Sequence, residues 1–402
     1  MQPIGSPVRA QAGSRLVAVI AVGALVMALL PGCKAEEELP PVFRWIWSAT
    51  APAGIAAVEA CGVGGPSVIA CADGSIRKVD SAGATAWEIA NPGLEIVSMS
   101  VDDAGSTVAV VTATPAGTDV AAPDVLTVYG AAGNGLWQAA SPAEGLTIGG
   151  SVSADGTKVL VSWPSSADAP GNVNVRDSAS GVVRWEKRTD GVVRVKCDAT
   201  TDLRRVVTGY SIANGDKDPT GLAEAYADDS IRTHLELKRP VSASLIATDV
   251  AGLLDERGKL TAYELTDNGL GQRLWSKSTD RDGVMVTGAG MVAVAAYDAK
   301  GKDDATHVTT VRVYNAEGKR LYDEEFEASV RYLPTVSTNG RYLALVPAGA
   351  TDGEVPLIVR FGEDVTTAEL PPGVSAISFE AGDGLMLVGM SDGTYGISKL
   401  PF

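Results

Sequence analysis

The chain carries only two imidazoles in 402 residues, His234 and His307, so it is poor in general bases and in nitrogen ligands for metals. His234 falls where an aromatic is due in the repeat described below, and His307 opens an expected strand. Packing and pairing account for both. Asn214, Asp216 and Asp218 alternate like the first ligands of a calcium loop, but Pro219 stands where a glycine should turn the chain. Ala225 stands where a bidentate glutamate should close that loop, so an acidic solvated loop is expected there. Of the cysteines, Cys61 and Cys71 are the pair that an oxidising compartment would join. In a hairpin turning near Val63–Pro66, Cys61 faces about residue 68, which leaves the two sulfurs roughly 10 Å apart at 3.3 Å per residue. Three buried thiols, Cys197 included, are favoured over that disulfide. These residue types form no convergent catalytic set, and neither a metal site nor a cofactor is expected.

Cys33 has a different context. Arg9 and Arg15 precede an uncharged apolar run, Leu16–Leu30, which is too short for the roughly 30 Å hydrocarbon core of a bilayer and reads as an export signal. Leu30-Pro31-Gly32-Cys33 resembles the lipobox of bacterial lipoproteins, although Pro31 departs from the usual small residue at its place. That resemblance implies a signal peptide over 1–32, acylation of Cys33 and a tether over 33–43. Two acyl chains suffice for stable anchoring, so an exported protein on a cytoplasmic or outer membrane is expected.

The formal net charge is −16, or −18 without residues 1–32, which carry Arg9 and Arg15 and no acid. Such a surface repels phosphate backbones, and nucleic acid is not an expected partner. Hydrophobic residues make up 45% and Gly numbers 45, which suits a globular fold with many tight turns.

Four of the seven Trp residues follow a Gly by four positions: Gly83 and Trp87, Gly133 and Trp137, Gly181 and Trp185, Gly271 and Trp275. Gly318 and Tyr322 continue the series, with Ser230 and His234, and Gly362 and Thr366, where further units are due. The marks recur every 41 to 50 residues, the period of a four-stranded propeller blade. Between them lie short apolar runs (Val108–Val111, Val159–Trp163, Met291–Tyr297, Tyr342–Val346, Leu385–Met390) that read as second strands covered on both faces. The C-terminal stretch from Ala376 supplies only three strands. The missing fourth is expected from Arg44–Ala49, with Trp47 as its docking residue, so that residues 44–402 form one all-β, eight-bladed propeller. Blade boundaries are expected near 54, 94, 146, 191, 241, 283, 330 and 374, to within a few residues.

Asp177-Ser178-Ala179-Ser180-Gly181-Val182-Val183-Arg184-Trp185 resembles the tryptophan-docking motif of quinoprotein-type propellers, also related to WD40-like rings. The likeness extends over residues 44–402 in organisation and implies that each outer-strand aromatic packs on the next blade. Some lipoproteins of this type, in outer-membrane protein assembly machinery, are similar in length and layout. Quinone-linked enzymes of the fold need a vicinal cysteine pair, which this chain lacks, and a saccharide or small-molecule sensor in the funnel would want more aromatics than five Phe and ten Tyr provide.

Topology places every connection between second and third strands on the same face as the crossings between blades. The long ones are expected over Thr114–Pro123, Pro164–Gly171, Asn214–Gly221, Lys300–Thr306 and Gly349–Glu354. They carry Asp119, Asp168, Asp216, Asp218, Asp303, Asp304, Asp352 and Glu354, which marks this face as the expected partner-binding surface. The functional expectation is a non-enzymatic extracytoplasmic lipoprotein that holds an envelope or secreted protein.

Overall fold

A computed structural model describes residues 43–402 apart from 63, 91–92, 116–121, 143–145, 166–169, 190–191, 215–216, 228–229, 280–282, 301–305, 329, 349–354 and 381–383. Its strands form eight four-stranded antiparallel sheets and, among the described residues, there is no helix. Blade 1 spans Ile55–Ile89, blade 2 Glu95–Ala140, blade 3 Gly149–Thr189 and blade 4 Val192–Leu237. Blade 5 spans Val241–Ser278, blade 6 Gly283–Ala328 and blade 7 Tyr332–Glu369. Blade 8 combines Val374–Lys399 with the N-terminal strand Arg44–Thr50. First strands begin within three residues of the positions expected from the repeat.

Burial follows from each strand's place in the blade. Second strands such as Ser67–Cys71 and Val108–Ala113 are apolar and almost wholly buried, because neighbouring blades cover both of their faces. Outer strands alternate exposed and half-buried residues, as in Arg44–Thr50 and Gly135–Ala140, since only one face meets a neighbour. The core is therefore a series of seams. One joins Ile55, Ile69 and Cys71 of blade 1 to Leu387, Tyr395 and Ile397 of blade 8.

Ring closure is a ladder in register from Arg44 opposite Lys399 to Thr50 opposite Thr394. It has one bulge, at Ile46, between Trp45 and Trp47. The same irregularity recurs in blades 1 to 6, one residue before the docking position, as between Gly135 and Trp137 opposite Val128 and Tyr129. A bulge bends its strand and re-aims the next side chain, which here swings the indole toward the adjoining blade.

Trp47 lies on the turn glycine of blade 1: a Cβ on Gly83, whose φ is +84°, would sit 2.6 Å from the indole Cε3. Only glycine tolerates both that dihedral and that contact. We expect Trp47→Ala to lower the free energy of unfolding by about 2 kcal/mol, from lost apolar burial at a half-buried site. Gly83→Val, which adds backbone strain, should cost more. Urea denaturation checks both, and an unchanged midpoint in either variant would show that the seam between blades 8 and 1 carries no stability.

Candidate binding face and central channel

Each docking residue reaches the following blade. Trp87 donates from Nε1 to the Ala131 carbonyl at 3.0 Å, Trp137 to Ser178 at 2.7 Å and Trp275 to Ala316 at 2.7 Å. Their rings cover Gly133, Gly181 and Gly318 respectively. Tyr322 packs edge-on against Phe361 of blade 7, with centroids 6.2 Å apart.

Two docking positions differ from those expected of the repeat. Gly271 lies inside the outer strand of blade 5 and faces Glu264, whereas the turn is made by Asp267-Asn268-Gly269, with Gly269 at φ +94°. The turn chemistry of Asp-Asn-Gly outweighs the four-residue spacing to Trp275. His234 does not hold the docking slot either. The bulge of blade 4 leaves Thr233 opposite Ala225, the place of Trp137 opposite Val128, and Thr233 Oγ1 accepts the Leu270 N–H at 2.9 Å.

His234 turns instead toward the seam between blades 3 and 4, where Trp185 meets Tyr226 edge-on at 4.5 Å. Glu224 is buried there and holds a polar node. Its Oε2 accepts from the hydroxyls of Tyr226 and, at 3.0 Å, Tyr210, while His234 Nδ1 stands 3.0 Å from Oε1 and Lys187 Nζ 4.0 Å away. Burial pushes the carboxyl up, but the hydrogen bonds from Tyr226, His234 and Tyr210 together with the Lys187 charge outweigh it and hold Glu224 below its usual range.

Cys61, Cys71 and Cys197 are free thiols, the first two buried and Cys197 half-buried rather than buried as expected. Cys61 pairs near Pro66 and Cys71 lies opposite Ile55, so the two stand at opposite ends of one hairpin, on the order of 20 Å apart at 3.3 Å per residue. No disulfide spans that distance. Burial pushes Cys61 up to about 12 and Cys197 up to about 11, so both remain protonated thiols.

Cys33 lies outside the described residues, as do Asp119, Asp168, Asp216, Asp303, Asp304, Asp352 and Glu354. Asp218 is exposed on the third strand of blade 4, and Asn214 on the second strand pairs with Lys217. Asn214 and residues 217–221 thus belong to paired strands rather than to a loop. The same holds in blade 6, where pairing runs out to Lys300 opposite Thr306. From an equivalent inner pair, the second strands of blades 4 and 6 run three to four residues further than that of blade 5, a rise of roughly 10 Å. The connections of blades 1, 5 and 8 are short turns, at Ala72–Ser75, Glu256–Gly258 and Ser391–Gly393. One face of the ring is therefore crenellated.

At the ring centre, register brings Glu59, Ser100, Ser151, Asp198, Ile246, Thr287, Thr335 and Ser378 to one level of the first strands. Several bind the next blade's innermost strand. Ser100 accepts the Val152 N–H at 3.0 Å, Asp198 that of Ile246 at 2.7 Å and Ser378 that of Ala60 at 3.1 Å. An open cavity of about 450 Å³ lies beside Glu59, Thr335 and Ser378. The Ser378 hydroxyl reaches Glu59 at only 3.5 Å, and burial pushes this carboxyl up to about 7. The one signal of this level in the sequence is a polar residue at a fixed distance before the first turn in seven of the eight blades, with Ile246 in blade 5 as the exception.

No family model matches the chain, and no curated protein matches it. Solved structures do. BamB from Moraxella catarrhalis superposes with a TM-score of 0.56 at 16% identity, over 89% of this chain and 100% of that one. The C-terminal WD40 domain of Sif2 gives 0.58 at 11% identity, over 90% and 100%. The computationally designed Ika8 protein gives 0.55 at 16% identity, over 87% and 98%. The likeness shows the fold alone. Natural and designed rings share it, so function must be argued from this chain's own surfaces.

Two pH responses follow. A carboxyl held low stabilises the fold above its unfolded value and loses that contribution as pH falls. Glu224→Gln should therefore melt below wild type at pH 7, with the gap closing toward pH 3. Glu59 is the opposite case, since a raised pKa costs stability as pH climbs from about 4.5 to 7. Glu59→Gln should raise the melting temperature by about 3 °C at pH 8 and leave it unchanged near pH 4. A pH-independent difference in either variant would contradict the corresponding account.

Proposed function

We propose that this chain is an exported lipoprotein, acylated at Cys33, that serves as a non-enzymatic extracytoplasmic scaffold and holds an envelope or secreted protein on the face formed by its second-to-third strand connections. The observation that carries the reading is how unevenly chain length is spent. Each blade needs only a turn at that position, as blades 1, 5 and 8 show, yet blades 2, 3 and 7 have longer stretches of chain between those strands and blades 4 and 6 have taller hairpins. Long connections on a fixed frame are where recognition is built, and their shared face makes them one surface. The acids within those connections favour a partner with cationic groups opposite the tall hairpins. The apolar segment before Cys33 and the acidic stretch after it support export and tethering.

Photocrosslinking in intact cells tests the scaffold reading. A photoreactive residue at Thr114 or Asp218, on the proposed face, should give one discrete adduct with a second protein, and the same residue at Ala82 or Glu317, on the opposite face, should not. Equal labelling from both faces would contradict it. Lipidation is tested separately: Cys33→Ser should move the protein from the membrane to the soluble fraction, and persistent membrane association would refute acylation as the anchor.

A further inference from the structure

Blade 5 forms a notch in the crenellated face, because its short turn at Glu256–Gly258 sits between the taller hairpins of blades 4 and 6. Within the notch, at the seam between blades 4 and 5, an open cavity of about 530 Å³ is walled by the crossing at Lys238 and Arg239 and by the sheet of blade 5. Its floor is apolar, with Leu237 half-buried and Leu253 buried. Four exposed cations surround it: Lys238, Arg239, Lys259 and Arg273. They come from the crossing and from the third and outer strands of blade 5, so folding gathers them from three separate elements.

Two acids also line the cavity, Glu236 and Asp255. Asp255 is committed to the turn, accepting the N–H groups of Arg257 and Lys259 at 2.9 Å each, and it stands 3.9 Å from Arg239. Among the described residues, Lys238, Lys259 and Arg273 have no carboxylate within 4.0 Å. On a chain of net charge −16, three cations without a carboxylate partner around an apolar floor form a local reversal of sign. Tyr263, opposite Arg273 in the register, brings a half-buried ring to the same wall.

The geometry points to the notch above blade 5 as the docking site for an acidic, aliphatic-containing segment of the partner protein. Carboxylates meet Lys238, Lys259 and Arg273, and an aliphatic side chain covers Leu237 and Leu253. This deepens the scaffold reading and rests on it. A nucleic acid would satisfy the same cations, but the surrounding acidic surface repels a long phosphate backbone, whereas a segment whose acids are confined to a few residues escapes that repulsion.

Fluorescence anisotropy on the full chain provides the test, with a short labelled peptide of Glu, Leu and Ser as the probe. Expected is a Kd in the range of about 10–100 μM at low salt, weakened by added salt. The paired charge reversal Lys259→Glu with Arg273→Glu should reduce affinity by about tenfold or more. Lys259→Gln with Arg273→Gln should reduce it less, and a melting curve for each variant confirms that the ring is intact. Glu324→Lys with Glu325→Lys, on the outer strand of blade 6, should leave affinity unchanged. Equal binding of the same peptide with Lys in place of Glu, tighter binding of a single-stranded DNA oligonucleotide, or indifference to the Lys259 and Arg273 changes would each overturn the proposal. Adducts from Thr114 and Asp218 in cells are read independently, so the notch can fail while the scaffold reading stands.

Discussion

Pairing between Arg44–Thr50 and Thr394–Lys399 is the constraint on which the remaining structure depends. A propeller whose ends did not meet would bare the outer edge of one sheet and the seam face of another, exposing backbone groups and apolar side chains together. The N-terminal strand removes both liabilities by lending blade 8 its fourth strand and placing Trp47 against Gly83 of blade 1. The chain closes on residues more than 340 apart in sequence, so the seam between blades 8 and 1 is necessarily among the last contacts to form.

Around the ring the seams solve one problem in different ways. Three of them use an indole on a glycine with a hydrogen bond to a carbonyl, which joins area burial to direction. Between blades 3 and 4 the apolar contact of Trp185 with Tyr226 is joined by a buried carboxylate satisfied by two tyrosines and a histidine. Between blades 4 and 5 a threonine replaces the indole, and the cavity with cations at its mouth lies in that same seam. An open cavity of about 530 Å³ thus lies in a seam without a large docking aromatic.

Blade number and closure were legible because the glycine-to-indole spacing is local and its period is fixed by the length of a four-stranded unit. The errors also have physical causes. Counting back four residues from Trp275 selected Gly271, while the turn obeyed Asp267-Asn268-Gly269. The repeat points to His234 for the docking slot that Thr233 holds because a bulge, which shifts register by one residue, leaves no mark in an outer strand of alternating character. The tall hairpins of blades 4 and 6 read as loops in the sequence because their ends are rich in Asp, Asn and Lys, residues more common in turns. The polar level inside the channel and the cationic notch were not legible at all. The first is a single polar residue in seven of the eight first strands, and the second joins charges from a crossing and two strands that follow one another in the sequence without forming a charge run.

Closure is tested most directly by joining its two strands covalently. Thr50 and Thr394 are partners at the end of the ladder, where paired Cα atoms lie within the span of a disulfide. The double variant Thr50→Cys with Thr394→Cys should oxidise readily to an intramolecular bond and raise the melting temperature, while Thr50→Cys with Lys319→Cys, on blade 6, should form none. Failure of the Thr50–Thr394 pair to crosslink in the folded protein, or equal crosslinking in the control, would contradict an eight-bladed ring closed by its N-terminal strand.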